Sequence, residues 1–318
     1  MSDAAASEVW RTLCDPAVRD LGWLLSSADL LAGSPGAPLA RPWAASAEAA
    51  EWLAELDRRP EPLRRMLAHA NPTRLGRYAE YLLRYFATHA PALRLVAANL
   101  PLRSQGRTLG ECDFLIETEQ GERLHWELAV KCYLCAATSG AAVLGDFVGP
   151  TLVDRFDLKR IRLVEHQLRL TEREAFASLG HPGPWVAQMF VKGWLFYVTG
   201  DGVAIDDPPE LNATHPRGFW VTHTAWPAMA DAQAAGTRWI VLPRLAWLAP
   251  RRVAEEAAAS GPFAPLSAGE LAERVKGHPG PSLVAALTRQ ADGAWLETSR
   301  GFIVPDLWPE RARAFAAP

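Results

Sequence analysis

Several things are scarce in this sequence. Of its 318 residues only four are cysteine, and of its 33 basic residues only four are lysine: Lys131, Lys159, Lys192 and Lys276. No apolar run approaches the roughly 20 residues that a membrane helix needs, so no membrane partner is expected. The formal net charge is −3, which gives no general basic footprint, so a nucleic-acid surface would have to be local. Met1 to Glu8 is small and acidic, without the basic segment and apolar stretch of a signal peptide. A cytoplasmic location is therefore the expectation, with Cys14, Cys112, Cys132 and Cys135 as reduced thiols. The P-loop, the dinucleotide glycine pattern, the Gly-x-Ser-x-Gly elbow and His-Glu-x-x-His are all missing, and with them the enzyme classes those motifs mark.

What is present suits a folded α/β chain. At 49% apolar and 22% charged, the composition excludes disorder. Apolar periodicity predicts helices over Val9–Leu25 and Ser46–Leu56, a shorter one through Met66, and another opening at Asn71-Pro72. In the last, Leu75, Ala79, Leu82 and Phe86 make one stripe. Strand-like runs follow at Leu93–Leu100, Glu111–Glu117 and Arg123–Tyr133, the last two joined by a turn at Thr118–Gly121 as a hairpin. A long helix is expected from Val153 to Phe176, then a core strand over Met189–Val198. The remainder alternates short strands with Ala-rich helices. Polar, Pro-bearing Asp201–Pro216 suggests three parts: a helical extension over 1–70, a core over 71–200 and an α+β region over 201–318. Of thirteen tryptophans, eight fall from Trp185 onward. They are expected mainly in the core, with one or two exposed for base stacking.

The informative residues are polar ones on faces that should be apolar. Asp113 opens the run Cys112–Ile116 and shares a face with Glu111, because side chains alternate along a strand. Glu127 lies within His125–Val130, and Lys131 closes that run on the same face. Acids on adjacent strands are costly unless they bind a cation or each other, and carboxylate oxygens are the ligands Mg²⁺ prefers. A half-exposed, ion-paired hairpin accounts for the same residues. Glu80 stands off its helix's apolar stripe, beside Gly76 and Ala87. Arg155, Lys159, Arg162, His166, Arg169 and Arg173 recur at spacings of four and three, a basic stripe able to follow a phosphate backbone or simply to face solvent. Gln167 falls on the apolar side, where a buried amide needs partners. Cys132-x-x-Cys135 beside His125 is too small a set for structural zinc.

In order and spacing these residues resemble the PD-(D/E)XK, or restriction-endonuclease-like, phosphodiesterase superfamily, whose core runs helix, three strands, helix, strand. Gly76-x-x-x-Glu80 resembles its helix acid, Gly110–Asp113 its Asp turn, and Glu127 with Lys131 its third-strand acid and lysine. Gln167 resembles the glutamine of the recombination-nuclease branch, although Thr171 stands where that branch has Tyr. Longer segments, namely Trp126–Lys131, Gly149-Pro150 with Asp154-Arg155, His166–Leu168, Gly193–Tyr197 and Arg300–Phe302, resemble a bacterial family known only as a domain of unknown function.

The resemblance implies a restriction-endonuclease-like mixed sheet flanked by helices, and a Mg²⁺- or Mn²⁺-dependent nuclease acting on DNA or RNA. Asp113, Glu127 and Glu80 would hold the metal, Lys131 and Gln167 would complete the catalytic set, and Arg155, Lys159, Arg162 and Arg169 would follow the nucleic acid. The alternative is an inactive module of the same fold that binds nucleic acid or a protein. One departure separates this chain from the pattern. Three residues, not one, lie between acid and lysine, which places Glu127 and Lys131 about 13 Å apart on an ideal strand, with Ala129 at the lysine position. A bulge, a lysine that reaches back, or loss of the lysine's role each fit that spacing.

Overall fold

A computed structural model describes residues 9–41, 43, 46–199, 204–259 and 261–317. Met1 to Glu8, on which the signal-peptide expectation rests, lies outside the described residues, as do 200–203 of the expected boundary segment. The chain is mixed α/β, with a large mixed sheet flanked by helices. It groups into two compact units: residues 1–131 with 158–192, and residues 132–157 with 193–318. These differ from the three consecutive parts expected, because two long strands each pass from one unit into the other.

The first unit opens with helices α1 (Pro16–Ser26), α2 (Ala47–Arg58), α3 (Glu61–Ala70) and α4 (Leu75–His89). The helix expected over Val9–Leu25 is interrupted. Asp15 caps α1 by accepting from the N–H groups of Ala17 and Val18, and Pro16 fixes the first turn, so Val9–Thr12 remains a separate 3₁₀ turn. Asn71, expected as an N-cap, instead ends α3 in the left-handed conformation, and α4 begins only at Leu75. The α4 stripe is as expected: Leu75, Ala79, Leu82 and Phe86 are all buried.

Three antiparallel strands follow, β1 (Leu93–Ser104), β2 (Arg107–Thr118) and β3 (Arg123–Cys135). Gly121, with φ +80, closes the β2–β3 turn where a side chain would be strained. The chain returns through α5 (Phe156–Glu165) and reaches β4 (Val186–Val198), which lies next to β3. The single helix expected over Val153–Phe176 is broken. After Glu165 the backbone tightens into a 3₁₀ turn, Gln167–Glu172, and then one short helix, Glu174–Ala177. Gly110 permits this, since a Cβ there would sit 2.8 Å from Leu170 and 3.3 Å from His166. Leu158 and Ile161, the second expected on the apolar side, are exposed.

In the second unit β4 continues into a parallel pair with β5 (Arg217–Thr222). Outward from β5 lie β8 (Trp295–Val304), β7 (Ser282–Arg289) and β6 (Arg238–Val241), in that order. Helices α6 (Ala268–Val275) and α7 (Trp308–Ala316) belong to this unit. Gly301 on β8 faces Phe219 on β5 so closely that an added Cβ would lie 2.3 Å from the ring. The later tryptophans are all buried or half-buried; none is exposed as the stacking idea required.

The first unit fastens β4 with a buried charge pair. Lys192 Nζ donates to Asp29 Oδ2 at 2.9 Å and to the Ser27 carbonyl, while Asp29 Oδ1 accepts from the Val191 N–H at 2.6 Å. Removing one partner strands the other charge in the protein. Lys192→Met is therefore expected to lower stability by about 3–5 kcal/mol. Adding Asp29→Asn to that variant should cost much less than the two single effects combined, as chemical denaturation of the three variants will show.

Candidate metal centre

The β2–β3 hairpin carries the centre. Phe114 pairs with Trp126 across the two strands, which sets Asp113 against Glu127 one step further along. Their groups interlock: the Asp113 N–H donates to Glu127 Oε1 at 3.3 Å, and the Leu128 N–H donates to Asp113 Oδ2 at 2.9 Å. Two carboxylates thus face one another on adjacent strands, Glu127 fully buried and Asp113 half-buried. Burial pushes the Asp113 carboxyl well above the ordinary range, and the neighbouring Glu127 charge pushes it further. The Leu128 N–H and Lys159 oppose that rise, and Glu80 adds to it.

Glu127 is held by donors on every side. Besides the Asp113 N–H, its Oε1 accepts from His125 Nε2 at 2.8 Å, and its Oε2 accepts from Gln167 Nε2 at 3.1 Å. His125 is wholly buried and its Nδ1 has no partner among the described residues, which places the proton on Nε2, where it is used. Gln167 also donates to the Glu111 carbonyl at 3.3 Å. The 3₁₀ turn that replaces the expected helix brings that amide to the acids.

Glu80, on α4, is present but shared. It pairs with Arg77 and accepts from Asn99 Nδ2 at 3.3 Å, and the same amide donates to Glu111 at 3.2 Å. Asn99 holds φ at +52 within β1, a conformation that asparagine tolerates better than most residues. Sequence reading passed over it, although an amide inside an apolar strand run is itself a signal. Among the described residues no three His, Cys, Asp or Glu side chains are drawn together as a ready metal cluster. The donors still suit Mg²⁺, which is commonly bound through one or two carboxylates and completes its shell with water and substrate phosphate.

The basic residues divide. Lys159, assigned by spacing to a nucleic-acid stripe, is half-buried and within reach of the charges of both acids. Burial and the charge of Lys131 depress its pKa, while Asp113 and Glu127 hold it up. Lys131 shares the Glu127 face of β3 and is near enough to Lys159 for that repulsion to register. Arg155 precedes α5, pairs with Asp157 and donates to the carbonyls of Ala316 and Ala317, so it anchors the end of α7. Only Arg162 and Arg169 of the four predicted contacts are exposed, and the break after Glu165 interrupts the stripe. The Cys112 and Cys135 thiols are each pushed up to about 12 by burial, which makes them poor metal ligands.

A family model described as a domain of unknown function, DUF1853, matches residues 19–304. The chain belongs to that family. No curated protein and no solved structure matches it. Among the described residues of this family member, no helix is long and apolar enough to cross a membrane.

The raised Asp113 carboxyl has a signed consequence for stability. Below the ordinary Asp range of about 3.9 both folded and unfolded states are protonated. As the pH rises, the unfolded state gives up its proton first, and stability falls until the folded pKa is passed. Asp113→Asn should therefore be more stable than the native chain at pH 7 in EDTA, and the difference should shrink towards pH 4. Melting curves of the two proteins at both pH values provide the check.

Proposed function

We propose that this chain is a Mg²⁺- or Mn²⁺-dependent phosphodiesterase of the PD-(D/E)XK type, acting on nucleic acid. The observation that carries the reading is the facing pair Asp113 and Glu127, with Gln167 and Lys159 directed at the same place. The element order α4, β1, β2, β3, α5, β4 supports it, since helix, three strands, helix, strand is the order of that core.

In this reading Asp113 and Glu127 are the metal ligands, and Glu80 contributes through water or after release from Asn99. The bound ion supplies Lewis acidity at the phosphoryl oxygen and lowers the pKa of an attacking water. Gln167 and His125 keep the Glu127 oxygens in place, so the carboxylate loses little freedom on binding. Lys159 takes the part of the lysine that the pattern places two residues after the acid, where this chain has Ala129. Its depressed pKa and its place opposite two acids suit a group that neutralises charge developing on the phosphate. Lys131 supports the same field from the strand. Arg162 and Arg169 remain on the surface to follow a phosphate backbone.

Two measurements bear on the reading. Millimolar Mg²⁺ or Mn²⁺ should raise the melting temperature of the native chain and leave that of Asp113→Ala unchanged; equal shifts in both would remove the metal centre. Lys159→Met should retain the metal-induced shift but lose hydrolysis of labelled DNA or RNA by on the order of 10²- to 10³-fold. Lys131→Met should lose less. Full hydrolysis by Lys159→Met would assign the charge-neutralising role elsewhere, and no hydrolysis by the native chain on any nucleic acid would favour the binding-module alternative.

A further inference from the structure

The second unit contains a cavity that the metal-centre reading does not use. Strands β6 and β7 pair through Val241 and Val284, and the Leu242 N–H still reaches the Leu283 carbonyl at 2.8 Å. Beyond this bond Pro243 and Pro281, just outside the two strands, supply no N–H, and the ladder ends. The opening is a cleft of about 380 Å³, within the size range of small-molecule sites. Its apolar wall comes from Leu242, Leu283, Val275 and Trp247.

Two arginines line this cleft, Arg244 from the turn after β6 and Arg274 from the last turn of α6, and among the described residues no acid lines it. Arg274 stands at a helix C-terminus, where a cation is favoured. Arg244 stands on a three-residue turn. Both arginines are exposed, and neither forms an ion pair among the described residues; the Arg244 guanidinium lies 5.3 Å from the Trp247 ring centroid. Two unpaired guanidinium groups converging on an apolar cleft match a dianion that carries an apolar body. A carboxylate would neutralise only one of them.

We infer that this cleft binds a phosphate monoester with a planar or apolar body of nucleotide size, the phosphate held by Arg244 and Arg274 and the body lying against Leu283 and Trp247. The same chemistry occurs in a free nucleotide and at the phosphorylated end of a nucleic-acid strand. The site does not depend on the phosphodiesterase reading. Its test therefore uses the full chain carrying Asp113→Asn, in EDTA, so that metal-dependent binding elsewhere makes no contribution.

Calorimetric titration with adenosine monophosphate, adenosine and a 5′-phosphorylated trinucleotide separates the possibilities. At least one of the phosphorylated probes should bind saturably at one per chain, with adenosine at least tenfold weaker. Arg244→Ala with Arg274→Ala should weaken that binding at least tenfold without changing the melting temperature, and the corresponding pair of lysine substitutions should restore part of it. Tighter binding of the trinucleotide assigns the site to strand ends, and tighter binding of the mononucleotide assigns it to free nucleotides. Absence of binding by both phosphorylated probes at millimolar concentration, or binding unaffected by the double alanine change, overturns the inference.

Discussion

Two carboxyl groups facing each other across adjacent strands are the constraint around which the first unit is arranged. The β2–β3 ladder runs to Phe114 and Trp126, and beyond it bonds between side chain and backbone tie Asp113 to Glu127 and Leu128. The surroundings answer the two acids with two backbone N–H groups, an imidazole and an amide, and with the charge of Lys159. Each donor removes part of the desolvation cost of burying a carboxyl group.

The helix break after Glu165 serves the same centre. A continuous helix through Phe176 would have carried Gln167 around its axis according to the α-helical period. The 3₁₀ turn, seated on β2 through Leu170 over Gly110, fixes the amide against Glu127 and the Glu111 carbonyl. Lys159 lies before the break, on α5, where the charges of Asp113, Glu127 and Lys131 all reach it.

The second unit uses a different device. Arg300 is 1% exposed, yet every direction of its guanidinium is matched: Glu297 takes two bonds, and the carbonyls of Trp247, Leu248 and Ala249 take the rest. Its face lies 4.3 Å from the Trp194 ring centroid. A fully satisfied buried cation of this kind fixes the loop 247–249 and with it the tryptophan that walls the cleft. Rigidity there comes from hydrogen bonding.

The residue pattern alone determined the local elements and the acids. Period-two alternation set Asp113 and Glu127 on facing positions of a hairpin, and the stripe Leu75, Ala79, Leu82, Phe86 marked the helix that carries Glu80. Those inferences succeed because they depend on near neighbours and on strand register, which a sequence displays directly. Tertiary structure decided the rest. The spacing of Arg155, Lys159, Arg162 and Arg169 read as one stripe only while a straight helix was assumed; the helix ends at Glu165, Lys159 on it feels the charges of Asp113 and Glu127, and Arg155, ahead of it, anchors α7. Asn99 acquired partners on α4 and β2, and no periodicity announces such a contact; His125 meets Glu127 two residues along its own strand. The cleft of the second unit is lined from β6, β7, α6 and the loops beyond them, and only the pairing of β6 with β7 brings these distant stretches together.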